Sequence, residues 1–175
     1  MHGARAAQKE IVESAQGTNL VVYFIWMPML PTDNERAARR SAKSIADPRA
    51  SHFYDPARRV GTAFAEDHFH PLMREALAVL PNESPYRERL VNQVDAPSRE
   101  HPLWDAVLMF RPGVEWRERS PRPDWWAKQV GFFGADGRDG HTGVIWKNRA
   151  DQLPIETDWF VELREAMRTM TGKEP

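Results

Sequence analysis

The chain has 175 residues, enough for one domain with a sizeable core or a small domain plus an extension. It contains no cysteine, which excludes thiol–disulfide chemistry by the chain as written. Its 24 basic and 25 acidic residues leave a formal net charge of −1, so nothing draws the whole molecule to nucleic acid or to an anionic membrane.

Met1, His2, Gly3, Ala4 and Arg5 lack the apolar stretch of a secretory signal, and cytoplasm is the expected location. Residues 3–16 read as a helix, with Ala4, Ala7, Ile11, Val12 and Ala15 at helical spacing and Gly17 as its stop. Residues 20–26 form a continuous apolar run, which predicts a strand buried on both faces. The spacing of Thr32 and Glu35 matches a capping box and predicts a helix to about residue 45. Its Arg36, Arg39, Arg40 and Lys43 make a basic stripe, read as a solvated face, with an acidic partner or a phosphate as the minority reading.

Residues 50–54 predict a short strand, 60–69 a helix, and 71–80 a second helix with Pro71 in its first turn. A proline-rich stretch follows over 81–102, with a short helix at 85–91. Residues 104–110 predict a strong strand, and Arg111-Pro112-Gly113 predicts a turn into an antiparallel partner at 114–118. Residues 123–130 read as a helix, and 131–133 and 143–147 as short strands around a glycine-rich turn. Trp159, Phe160, Leu163, Met167 and Met170 mark a closing amphipathic helix.

This order is α/β. It is also the order of a thioredoxin fold lacking its first strand, which a right-handed crossover into residues 20–26 requires. Trp26-x-Pro28-x-Leu30-Pro31-Thr32-Asp33, Asp47-Pro48-Arg49, Phe53-x-Asp55-Pro56 with Val60-Gly61, Trp104-Asp105 and Pro112-Gly113-Val114-x-Trp116 carry a further signal. Together they resemble a family of uncharacterised bacterial thioredoxin-like proteins, over most of residues 2–118. The resemblance implies a thioredoxin-like fold, and the expected organisation is such a domain at 1–130 with an extension at 131–175, a short hairpin and closing helix, packed on the same domain. It also implies a Cys-x-x-Cys motif, or a selenocysteine variant, on a strand just before the segment similar to His2-Gly3-Ala4-Arg5-x-x-Gln8. None of those positions exists in this chain.

Trp26, Pro28, Pro31, Thr32 and Asp33 follow the buried strand where open α/β sheets bind ligands, and are candidates for a ligand or partner loop. The plainer reading is that Trp26 and Leu30 pack while Thr32 caps. Asp67, His68 and His70 are the candidate metal ligands, although on a helix two imidazoles at this spacing point roughly 200° apart. His52, Tyr54 and Asp55 are read as an edge strand or an acid–base set lacking a partner. Asp136-Gly137-Arg138-Asp139-Gly140 reads as a turn rather than a calcium loop. Trp104, Trp125 and Trp126 are expected in the core or over the sheet.

The expectation is a thioredoxin-like binding or structural module, not an enzyme as written, with no cofactor. Its partner is unknown; neither nucleic acid nor membrane is expected, and a protein is the candidate. The alternatives are a truncated thiol or selenol oxidoreductase and, more weakly, a metal-binding protein using His68 and His70.

Overall fold

The computed structural model describes residues 7–13, 15, 19–84, 87–95, 97–132, 142–147 and 155–171. In chain order these form a π-helical segment π1 (Gln8–Glu13), β1 (Val22–Trp26), α1 (Glu35–Ser44), β2 (Ala50–Tyr54) and α2 (Arg59–Phe64). A second π-helical segment π2 (Ala65–Phe69), α3 (His70–Val79), α4 (Arg87–Asp95) and β3 (Ala106–Met109) follow. The chain continues through β4 (Trp125–Phe132), β5 (Thr142–Lys147), β6 (Ile155–Asp158) and α5 (Trp159–Thr171). The protein is mixed α/β, as expected, and among the described residues no helix is long and apolar enough to cross a membrane.

β1 and β2 pair in parallel, from Val22 opposite Ala50 to Trp26 opposite Tyr54. The connection is α1, which starts on Asn34 rather than on the expected Thr32. The Asn34 side chain takes the Ala37 amide at 3.0 Å and satisfies one of the orphan donors of the first turn. Thr32 is exposed and offers its carbonyl to the Asn34 amide group instead. Ala38 and Ser41 face inward, while Arg36, Arg39, Arg40 and Lys43 are exposed and Arg39 pairs with Glu35.

The expected burial of β1 on both faces is corrected. Phe24 is buried, but Val21 and Tyr23 keep 61% and 62% of their surface exposed. Side chains alternate across a strand, so covering one face leaves the other to solvent. There Tyr23 meets the similarly exposed Phe53, at 6.1 Å between ring centres.

The second sheet is antiparallel in the order β3-β4-β5-β6. Two expectations fail here. The partner of β3 is β4, with Ala106 opposite Lys128 and Met109 opposite Trp125, and residues 114–118 form exposed loop. Residues 125–130, expected as helix, are strand. Trp125 and Trp126, adjacent in sequence, are both buried but in different cores, the opposite-face placement that a two-residue period gives. Asp124 closes the long β3–β4 loop, donating its amide to the Met109 carbonyl and accepting from the Arg111 amide.

One core contains Ile11, Val12, Phe24, Ile45, Trp125, Ala127 and Leu163, with Val107 and Met109 against it. The other contains Phe64, Phe69, Met73, Leu103 and Trp126. The expected boundary at residue 130 falls inside β4, and β5 and β6 continue the same sheet. β1 and β3 pack on one core, yet among the described residues they belong to separate sheets. The turn expected at Asp136 to Gly140 lies outside the described residues, and β6 adds a strand that no expectation covers.

Candidate functional site

Strand periodicity builds the site. Trp126 points into the core formed with α2, π2 and α3, and two residues on Lys128 faces the same way. Lys128 retains only 6% of its surface exposed. It ends in a cavity of about 230 Å³ whose apolar walls include Met29, Phe69, Met73, Leu103 and Trp104. Its Nζ donates to the Trp104 carbonyl at 3.3 Å and lies 5.6 Å from the centre of that residue's indole. Burial pulls the Lys128 amine down to about 8, and the negative charge of Asp105 opposes the shift.

His70, Glu100 and His101 also line the cavity. His70 is buried, with its Nδ1 3.3 Å from the Ser98 hydroxyl. Burial, and next the charge of Arg74, push its pKa down and favour the neutral ring. Gly61 lies against Leu103, one of the lining residues, and against Met27 in the loop after β1. A methyl group there would stand 2.7 Å from the Leu103 carbonyl and 2.8 Å from the Met27 sulfur.

The candidate loop residues fall on both sides of this arrangement. Trp26 donates its indole N–H to His52 Nδ1 at 3.3 Å and stacks with Phe24, which makes it a packing residue. Asp33 shapes the loop: one carboxylate oxygen accepts the amides of Met29 and Leu30, at 3.1 and 2.8 Å. Pro28 is partly buried, and Pro31 and Thr32 are exposed. The loop's contribution to the cavity is Met29.

The metal candidates are directed to separate partners. His68 Nε2 lies 2.8 Å from the Ser120 carbonyl, and Asp67 accepts the Ser120 hydroxyl at 2.7 Å. His70 turns to Ser98. Among the described residues no group of three or more His, Asp or Glu is placed to hold a metal ion. Asp55 is committed to the start of α2, accepting the Val60 amide at 2.8 Å. His52 stacks on Phe24 with ring centres 4.9 Å apart.

Lys128 was missed by sequence reasoning. Its signal was a single lysine inside the apolar segment 123–130, which a helical reading places at the surface. Comparison with protein-family models, curated proteins and solved structures finds no match to the chain.

Proposed function

We propose that this chain is a thioredoxin-like module without thiol chemistry of its own, which binds a small, mostly apolar ligand in the cavity just past the carboxyl end of β1. The thioredoxin-like reading is supported by the parallel β1–β2 pair joined through α1, the antiparallel strands after it, and the closing helix packed with π1 on one core. The observation that carries the function is one buried amine among apolar walls. Binding sites of this kind use apolar surface for affinity and a few placed polar groups for orientation. Engineered apolar cavities of about 150 Å³ already accept benzene, so a ring with one polar substituent fits the size.

The test is a thermal-shift titration with benzyl alcohol, benzoate and benzaldehyde, beside an insulin-turbidity assay. At least one of the three should raise the melting temperature, and insulin should be reduced no faster than in buffer. No shift with any of them removes the ligand reading; disulfide reduction above background removes the redox-inactive one.

A second reading rests on two strand edges that are open among the described residues. There β1 and β3 flank one core without pairing to each other, and a strand between them would bond to both. If such a strand carries Cys-x-x-Cys or its selenocysteine variant, the protein is a thiol or selenol oxidoreductase. Genomic DNA upstream of the Met1 codon, read in frame with TGA as selenocysteine, tests this directly. A frame without an apolar strand followed by Cys or TGA ends the idea.

A further inference from the structure

We propose that Lys128 is a nucleophile that condenses reversibly with a small aldehyde held in the cavity, so that the ligand class is a carbonyl compound. The inference rests on the ligand cavity proposed above and specifies its chemistry.

Three features of the site converge on it. The amine is carried by the second strand of a four-stranded sheet, flanked by β3 and β5, so its position is held by ladders on both sides. It opens into the cavity rather than into bulk water. The Trp104 carbonyl accepts one N–H and the Trp104 ring forms a wall, which orients the nitrogen whether or not it carries the third proton.

The charge balance around the amine matters as much as the shape. Asp105 acts on Lys128 from the residue before β3, and Glu100, His70 and His101 are the other titratable groups lining the cavity. Burial outweighs Asp105 and moves the amine to about 8, so a substantial share is neutral near physiological pH. A neutral lysine in an apolar pocket is the form that attacks carbonyl carbon. Surface lysines are almost wholly protonated under the same conditions.

The step balances without a cofactor. The Lys128 nitrogen lone pair bonds to the carbonyl carbon and the carbonyl π pair moves to oxygen. Two protons leave nitrogen, the oxygen departs as water, and a carbon–nitrogen double bond remains. One amine and one aldehyde therefore become one imine and one water, with no change of oxidation state.

The test uses benzaldehyde as probe and sodium cyanoborohydride as trap. The hydride adds to the imine carbon and leaves a stable benzylamine on the modified lysine. Peptide mass spectrometry of the intact-chain reaction near neutral pH then compares Lys128 with the exposed Lys43. Lys128 should carry at least about ten times the label on Lys43, since the cavity holds the probe beside a partly neutral amine. Benzyl alcohol, which has the same ring and no carbonyl, should suppress labelling of Lys128 and leave Lys43 unchanged. Equal labelling of the two lysines, or labelling of Lys43 alone, overturns the inference. If benzyl alcohol still shifts the melting temperature in that case, the ligand cavity stands and only the imine chemistry is lost. If none of benzyl alcohol, benzoate and benzaldehyde shifts it, both are lost.

Discussion

The Lys128 ammonium lies 5.6 Å from the centre of the Trp104 indole and 3.3 Å from the carbonyl oxygen of the same residue. Two parts of one residue thus hold a buried amine, one through its ring quadrupole and one through a hydrogen bond. Neither replaces the water that a fully charged ammonium loses on burial, and the amine's pKa falls accordingly.

That fall, from 10.5 to about 8, corresponds to roughly 3 kcal/mol against the charged form. Between those two values the unfolded chain binds more protons than the folded one, so stability rises with pH through the window. Below about 8 the cost is fully present. Lys128→Met should therefore stabilise the protein at neutral pH by about 1–3 kcal/mol in urea unfolding. The gap between variant and parent should shrink as pH approaches 10.5. A variant less stable than the parent at neutral pH would contradict this account.

Gly61 sets how closely α2 approaches the segment before β3. Alanine favours a helix over glycine by about 1 kcal/mol, but here its methyl group would press on the Leu103 carbonyl at 2.7 Å and the Met27 sulfur at 2.8 Å. The sulfur can swing away, whereas the carbonyl is tied down because the Leu103 amide donates to the Gly61 carbonyl at 2.9 Å. Overpacking costs of about 1–3 kcal/mol should win. Gly61→Ala should lower the melting temperature, and an unchanged or raised value would show that the segment yields freely.

Arg49 joins the N-terminal segment to the start of β2. Its guanidinium donates to the Ala15 carbonyl at 2.7 Å, to the Val12 carbonyl, and to both carboxylate oxygens of Asp47 at 3.0 Å. A lysine cannot reproduce that planar fork, so Arg49→Lys should lower the urea midpoint although the charge is kept. Hydrogen bonds from the Arg49 side chain, and then from its backbone, hold the Asp47 carboxyl below its ordinary 3.8. The resulting stabilisation is present above that value and is lost as pH falls through the lowered one. Asp47→Asn should flatten this acid limb; an acid transition identical to the parent's would place the sensitivity elsewhere.

Two tryptophans separate core from surface. Trp126 is 3% exposed and meets Phe69 edge-on at 4.7 Å, while Trp116 is 58% exposed and touches Phe64 and Phe110 from the β3–β4 loop. Trp126→Ala should cost about 3–5 kcal/mol, against about 1 kcal/mol or less for Trp116→Ala. Comparable losses in chemical denaturation would mean that the loop is part of the core.

Local chemistry was legible wherever one stretch of chain sufficed to determine the outcome. The apolar run at 20–26, the strand at 50–54 and the amphipathic pattern from Trp159 to Met170 each appear as elements close to their expected bounds. Tertiary structure decided the partner of β3, the state of residues 125–130 and the one-sided cover of β1. Each depends on which surfaces meet: Trp125 and Trp126 become a strand because a core lies on either side of them, and Tyr23 stays exposed because no described helix covers its face. The cavity was beyond reach for the same reason. Met29, His70, Trp104 and Lys128 lie far apart in sequence, and the pairing of Ala106 with Lys128 is what places the amine beside the Trp104 carbonyl.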